Sequence, residues 1–574
     1  MKRKNQTKIY SWEEMSNMTL SVPDCSAYEM VKQSALRHQD APAYDYMGKQ
    51  CTYKELIEKI DVCASALYNS GIRKGDIVTI CMPNTPESVI SIYALNKIGA
   101  IANVIHPLSS EDEICRYINS ADSRILIAID ICIEKIKCLY SYTKLERVIV
   151  VSPSDSMPAL LKYGYKFTAK APKIPQYGCF TLWQNFIKEG VGKKIAGTGH
   201  YSSDPAAILH SGGTTGTPKE IVLTNRNFIA LGKQSEMILT DIKEGDNVLA
   251  ILPLFHAFGL GVCIHVTFCN GACAVLVPRF DAKKFAKLFA KYRPTIVFGV
   301  PTLYEALLKS KGAEKLELTN LKYIVSGGDS LSPAMEKRIN DFLSSHGSEA
   351  KISQGYGLTE SFGAVCLALR DCYKPGSIGK PMPGNEFCIV TPGTHDMLPD
   401  NTDGEICISG PTLMAGYRNN EEETAQTLQR HPDGKIWLHT GDIGYRDEDG
   451  CYFYRLRLKR LIISSGFNVY PQHIENIIEK HQAVSKCIVI GIPHPYKVEV
   501  AKAYIVLKDD VKPSDELTAD IMEYCRKHLA RYSVPAEIEY RKTLPQTIIG
   551  KTDFNKLKQE HIENIKKEEN RDEK

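Results

Sequence analysis

A chain of 574 residues is too long for one hydrophobic core and divides into two or more domains. Hydrophobic residues at 43% and charged residues at 24% are ordinary for a globular protein. The 71 Lys+Arg against 67 Asp+Glu leave +4, too near balance for a nucleic-acid binder. The 18 cysteines are scattered without Cys-x-x-Cys pairs, and no His/Cys grouping has zinc spacing. They read as reduced core thiols in a reducing compartment, the cytoplasm. The basic N-terminus lacks the apolar centre of a signal peptide. Residues 249–278 contain no Lys, Arg, Asp or Glu, but Pro253, Asn270 and several glycines interrupt them. A buried strand–turn–helix is expected there, not a membrane span.

In chain order, the apolar spacing over residues 53–70 predicts an amphipathic helix. Residues 76–82 read as a buried strand, 86–98 as a helix, 102–104 as a strand, and 124–129 and 148–151 as further short strands. Such alternation implies a parallel sheet in a layered α/β fold with flanking helices. Residues 152–204, rich in Pro, Gly and Lys, read as an irregular connection, and a strand over 206–210 follows. Further strands are expected over 295–300, running into a helix at Pro301, and over 323–325. Beyond these come a helix over 472–480, strands over 487–492 and 501–507, and a helix over 517–528. That is enough for a small α+β domain. The Lys/Glu-rich run from Lys556 reads as a frayed helix or solvated tail. The expected division is a large α/β domain over 1–458, a small α+β domain over 459–562 and a charged tail over 563–574.

The run Leu209-His-Ser-Gly-Gly-Thr-Thr-Gly-Thr-Pro-Lys-Glu220 carries the strongest chemical signal. Its glycines remove bulk and its threonines supply hydroxyl donors. Successive backbone N–H groups in such a turn, directly after a strand, cradle phosphate oxygens, and Lys219 adds a point charge. It is not a Walker A loop, because Pro218 stands five residues after Gly213 where a glycine is needed. Gln354-Gly-Tyr-Gly-Leu-Thr-Glu360 supplies Glu360, a carboxylate of the kind Mg²⁺ takes together with phosphate oxygens. In the same run Thr359 can donate to a phosphate and Tyr356 can stack on a base. His439-Thr-Gly-Asp442 presents a carboxylate at what would, taken alone, be a turn. Ser326-Gly-Gly-Asp-Ser330 imitates a carrier protein's phosphopantetheine site, but it lies inside the α/β core. Pro545-Gln-Thr-Ile-Ile-Gly550-Lys551 nearly reads as Walker A, with Pro545 at the first glycine position. His256, in Leu252-Pro-Leu-Phe-His256, stands among apolar residues, where a histidine is usually a satisfied core group.

Five of these motifs, in this order, resemble those of the adenylate-forming superfamily, which includes acyl-CoA synthetases, aryl-CoA ligases, luciferases and peptide-synthetase adenylation domains. The resemblance implies a nucleotide site built from Ser211, Gly213, Thr214, Thr215, Gly216, Thr217 and Lys219 around the phosphates. Gly327, Gly328, Asp329, Gln354, Gly355, Tyr356 and Gly357 would lie around the adenine, and Asp442 and Arg457 at the ribose. It implies catalytic roles for Lys551, Glu360 and Thr359, and Mg²⁺ held at Thr215 and Glu360. The acyl wall would be His256, Phe258 and Val300, with Phe298 and Leu303. Lys459 would be the hinge between the domains, and Gly466 would let backbone approach coenzyme A. Three positions depart from the usual pattern: Glu220 and Leu456 stand where glycine is usual, and Arg460 where an acidic residue is common.

The implied activity is ATP-dependent conversion of a fatty or aryl acid to acyl-AMP, then transfer to coenzyme A. No charged residue in the implied acyl wall would pair with an amino acid's amine. An enzyme loading a carrier protein in trans is the alternative, and luciferase-type oxygenation a remoter one. A nucleotide-binding regulator without catalysis, supported only by Leu456 and Glu220, is the reading from another class.

Overall fold

The apolar runs close into sheets that bring the motif loops to one cleft. The computed structural model describes residues 10–137, 139–168, 174–175, 179–193, 195, 199–211, 219–460, 462–464, 467–494, 498–529, 533–546 and 552–572. Among these, the strands form sheets of nine, eight, five and five. The first three sheets draw their strands from residues up to Arg457 and the fourth from Ile462 onward. The result is a large N-terminal α/β domain of mixed sheets and a small C-terminal α+β domain.

The nine-stranded sheet positions the site. Its strands Ile296–Gly299, Tyr323–Ser326 and Ile352–Tyr356 run parallel, in a register that pairs Gly299 with Ser326 and Ser326 with Gln354. Their carboxyl ends therefore open side by side into Val300, the turn 327–329 and the segment 357–360. Such ends are where open α/β sheets bind ligands. The eight-stranded sheet faces the same space: Pro205–Ser211 runs parallel to Ile101–Ile105 and leads into the phosphate-loop segment.

The helices follow the expected periodicity. Tyr53–Asn69 starts on a capping box between Thr52 and Glu55 and buries Leu56, Ile60, Cys63 and Leu67. Pro86–Ile98 starts on Thr85 with Pro86 in its first turn and is buried almost all round. Residues 249–278 resolve into the end of the strand Asn247–Ala250, a π-helix over Phe258–Val266 and the strand Cys273–Leu276. Among the described residues no helix is long and apolar enough to cross a membrane. Every described cysteine is a free thiol.

The reading of 152–204 as irregular is corrected. Helix Ala159–Thr168, strand Phe180–Leu182 and helix Trp183–Lys188 lie within it. The strand extends the eight-stranded sheet beside Arg147–Val151. Three residues are too few for an alternating pattern to stand out against Pro and Gly. At the C-terminus, helix Phe554–Asp572 runs unbroken across the expected boundary at 563. In the small domain, Ile474, Ile478, Ile521 and Cys525 of two helices pack on Val489, Ala503 and Ile505 of the sheet.

One buried acid gives the fold a pH dependence. Glu87 is 2% exposed, and Ser156 Oγ donates to its Oε1 at 2.5 Å. Burial pushes its carboxyl up to about 7 from the ordinary 4.5. Between these values the folded chain holds a proton that the unfolded chain has released. Stability therefore falls as pH rises from 4.5 to 7 and is level above. Glu87→Gln should remove that loss, a gain at pH 8 on the order of 3 kcal/mol. Thermal unfolding should show a higher Tm than wild type at pH 8 and a gap closing towards pH 4.5; a gap independent of pH would exclude the protonation as its cause.

Candidate active site

The motif loops border one cleft of about 1470 Å³. Its walls include Ser211, Lys219, Gly327, Gly328, Asp329, Gln354, Gly355, Tyr356, Gly357, Thr359, Glu360, Asp442 and Arg457. The turn 357–360 has a steric requirement at its first residue. A Cβ on Gly357 would lie 1.3 Å from the Gly363 carbonyl oxygen, so no other residue fits there. Gly441 sits at φ +66°, a left-handed bend that lets the chain turn out of the Thr440 position into Asp442.

Asp442 is the centre of the polar network. The strands Ile436–Arg446 and Tyr452–Arg457 are antiparallel and pair Asp442 directly with Arg457. Arg457 Nε donates to Asp442 Oδ1 at 2.8 Å, and Tyr356 Oη donates to Oδ2 at 2.7 Å. Burial and the Asp442 charge push the Tyr356 phenol well up, so it stays a donor. Stacking on a base does not account for this hydroxyl, which is spent on Asp442. The ring itself packs edge-on against Phe387. Leu456, at the usual glycine position, is fully buried opposite Ile443 and serves packing.

At the other side of the cleft, Tyr417 Oη donates to Glu360 Oε1 at 2.9 Å. The Lys219 ammonium pairs with Glu423 and lies 4.7 Å from the Tyr417 ring centroid. A phosphate reaching Lys219 must compete with that carboxylate. Glu220 continues a regular strand opposite His210, and its carboxylate faces Arg418 at 3.4 Å. The departure from glycine is thus accommodated by an ion pair. His210 was not anticipated from the sequence. It lines the cleft, donates from Nε2 to Asn103 Oδ1 at 2.7 Å, and burial pushes it down to about 3, so it is neutral.

The apolar part of the cleft contains His256, Phe258, Phe298 and Val300. Phe258 and Phe298 lie 6.4 Å apart by ring centroid. Leu303 is a correction: it packs in the neighbouring core with Leu249, Val297 and Ile324. Its Cδ2 lies 2.8 Å from where a Cβ on Gly299 would sit, so it fills the space that glycine leaves. Beyond Phe258 the wall continues through Ile238, Leu239, Val262, Val266, Leu369 and Met382, none of which carries a motif.

The small domain closes one side. Gln472, Asn476, Thr552, Asp553 and Phe554 line the same cleft. Arg460, where an acid is common, donates to Glu475 Oε1 at 2.6 Å and lies 3.6 Å from the Phe554 ring centroid. Lys459 lies in the turn Leu458–Arg460 between the domains. Gly213, Thr214, Thr215, Gly216, Thr217, Gly466 and Lys551 lie outside the described residues. Thr552, the residue after Lys551, is on the cleft wall.

Residues 31–418 match the AMP-binding enzyme family, and residues 473–551 match the AMP-binding enzyme C-terminal domain. The chain belongs to the AMP-binding enzyme family. Asp442 and Arg457 fall between the two matched segments of this AMP-binding enzyme, and Lys551 is the last residue of the second. The long-chain-fatty-acid–CoA ligase of Bacillus subtilis (strain 168) is 31% identical over 551 residues, 95% of this chain and 96% of that protein. The 4-coumarate–CoA ligase 2 of Oryza sativa subsp. japonica is 28% identical over 512 residues, 88% and 86% of the two chains. Among solved structures, the anthranilate CoA ligase AuaEII in complex with anthranoyl-AMP matches with a TM-score of 0.80 at 25% identity, covering 95% of this chain and 98% of that one.

Proposed function

We propose that this AMP-binding enzyme activates a fatty acid with ATP, forming acyl-AMP and pyrophosphate, and passes the acyl group to coenzyme A. The observation that carries this is a single cleft joining an apolar wall to the Asp442–Arg457–Tyr356 network, with residues 552–554 of the small domain on its rim. Its volume of about 1470 Å³ exceeds the roughly 300–1,000 Å³ of a pocket for one drug-sized ligand. Nucleotide and acid fit in it together. The relatives' names, long-chain-fatty-acid–CoA ligase above all, support a fatty acid, as does the apolar lining from Ile238 to Met382.

A carboxylate is a poor acyl donor because its leaving group would be oxide. Its oxygen attacks the α-phosphorus of ATP, and pyrophosphate leaves; the thiol of coenzyme A then attacks the acyl carbon, and AMP leaves. Both reactants of the first step are anions, so the chain must cancel their repulsion while holding them in line. Asp442 orients the ribose, Thr359 donates to the α-phosphate, and Lys551 bridges carboxylate and α-phosphate. The turn 327–329 with Gln354–Gly357 lines the adenine, and 211–219 holds the outer phosphates. Glu360, a hard oxygen donor on the cleft wall, fits Mg²⁺, with Thr215 as second ligand. Bound there, the ion would neutralise charge on the departing pyrophosphate.

The domain division is placed at 458/459, a choice supported by the change of sheet membership between Arg457 and Ile462. Rotation about Lys459 would withdraw Lys551 and bring Gly466 towards coenzyme A. Lys459→Pro should spare acyl-AMP formation and cut thioester formation by about tenfold or more; equal losses in both steps would remove the hinge. The cytoplasm, where ATP and coenzyme A are supplied, is the proposed compartment. The decisive experiment is acid-dependent ATP–pyrophosphate exchange over a panel of fatty and aryl acids, followed by identification of the coenzyme A thioester. No exchange with any acid would favour a regulator, and exchange without thioester would favour a carrier protein as acceptor.

A further inference from the structure

Strand pairing next to Thr440 gathers three histidines that the proposed reaction does not use. His395 lies in the turn between strands Glu386–Val390 and Gly404–Ser409, His431 follows strand Leu428–Arg430, and His439 lies on Ile436–Arg446. They lie 36 and 8 positions apart in the sequence, and the antiparallel order of this sheet puts them together. One ring nitrogen of each lies within 4.8 Å of the others. His431 Nε2 and His439 Nε2 are 2.9 Å apart, and the His395 and His431 rings stack at 4.3 Å.

The groups behind the His439 and His395 rings fix which of their nitrogens carry lone pairs. Glu405 Oε2 lies 3.0 Å from His439 Nδ1, so that nitrogen holds the proton and Nε2 presents its lone pair. Gln429 Oε1 lies 2.9 Å from His395 Nε2, which leaves Nδ1 as the lone-pair nitrogen of that ring. His431 is 3% exposed, stacks on Trp437 at 5.4 Å, and keeps its Nδ1 buried with no hydrogen-bond partner among the described residues. A carboxylate or amide oxygen behind an imidazole is the arrangement that orients metal-ligating histidines. Neutral imidazoles suit zinc and its neighbours in the transition series.

We propose that His395, His431 and His439 bind a divalent transition metal of the zinc type, with Glu405 and Gln429 as positioning residues behind two of the ligands. Zn–N bonds of about 2.0–2.1 Å at the tetrahedral angle hold two nitrogens about 3.4 Å apart, so on binding the 2.9 Å pair opens by about 0.5 Å and the proton between them moves from His431 Nε2 to His431 Nδ1. His395, on a partly exposed turn, can follow that opening. The fourth position is left to water. Cys407 Sγ, 3.5 Å from His439 Nδ1, belongs to a rival set with Glu405 and the same imidazole. That set needs the nitrogen already committed to Glu405, so the two exclude each other. Glu405 Oε1 also accepts from Gly441 N–H at 2.9 Å, which ties the cluster to the turn carrying Asp442.

The test is a Zn²⁺ titration of the full chain, chelator-stripped and with thiols reduced, against a chromophoric competitor, with Co²⁺ as the spectroscopic probe. The expected result is one equivalent bound with Kd near or below about 1 μM. Glu405→Gln should weaken it about 10–100-fold, and His395→Gln and His431→Gln by more. Bound Co²⁺ should show tetrahedral visible bands without a thiolate charge-transfer band. Binding unchanged in His395→Gln would overturn the proposal, and so would a thiolate band that Cys407→Ser abolishes. If His431→Gln does not fold, His395→Gln, judged by its unaltered Tm without metal, decides alone.

Discussion

Asp442→Ala is expected to lower kcat/KM for ATP by about 10²–10⁴-fold: two hydrogen bonds to a charged group at about 1.5–3 kcal/mol each, with about 1.4 kcal/mol per tenfold. Tyr356 and Arg457 hold the carboxylate in one orientation before any nucleotide arrives, so the proposed contact with the ribose needs no reorganisation. The alanine variant also strips the buried Tyr356 hydroxyl of its acceptor, which costs about 1–3 kcal/mol of stability. Arg457 adds little to that loss because its side chain is 50% exposed and water replaces the partner. The two effects separate by measurement: Tm reports the fold, and KM for ATP at a temperature well below Tm reports the site. Asp442→Asn should fall between, since it keeps one oxygen but sets an amide donor against Tyr356 or Arg457. An unchanged KM for ATP in a folded Asp442→Ala protein would falsify the ribose assignment.

The same residue shows what could be read from the sequence and what could not. Thr-Gly-Asp was legible locally only as a turn, which Gly441 makes with its left-handed bend; the ribose role of Asp442 came from the resemblance. The adjacency of Asp442 to Arg457 and Tyr356 was not legible, since it depends on strand register and on a partner 86 positions away. Gly357 was legible through the resemblance, and its steric reason, the Gly363 carbonyl, is seen only in the fold. Helices such as Pro86–Ile98 were legible because cap, proline and apolar content agree. Leu303 was misassigned because a helix turn after Pro301 has two apolar sides, and only packing on Gly299 decides between them. The three-residue strand Phe180–Leu182 was missed because its pairing, not its pattern, makes it a strand. The histidine cluster was invisible for a related reason: its members are spaced 36 and 8 positions apart, with no ligand motif, and meet only through the sheet.

Lys551→Ala should reduce acyl-AMP formation by about 10²–10³-fold or more, the effect of removing one preorganised charge from a water-poor transition state. The physical case begins with the reactants. A carboxylate and a triphosphate repel each other, and in-line attack needs their oxygens brought to within contact of one phosphorus. A cation between them lowers that repulsion most when the bond is half formed, which is where a catalyst must act. The large domain's described Lys and Arg side chains on the cleft wall are committed: Lys219 to Glu423, Arg455 to Asp403 and Arg457 to Asp442. Lys551 precedes Thr552, which lies on the wall, and in the proposed reaction it supplies the further charge. The second step has other needs, because the thiol attacks an acyl carbon after pyrophosphate has gone. Reaction of added acyl-AMP with coenzyme A should therefore stay within about threefold of wild type in the same variant. Lys551→Arg tests shape against charge: its planar guanidinium keeps the charge but spreads it, and should recover only part of the exchange rate. Normal ATP–pyrophosphate exchange in Lys551→Ala, or equal loss in both half-reactions, would place the needed charge on another residue.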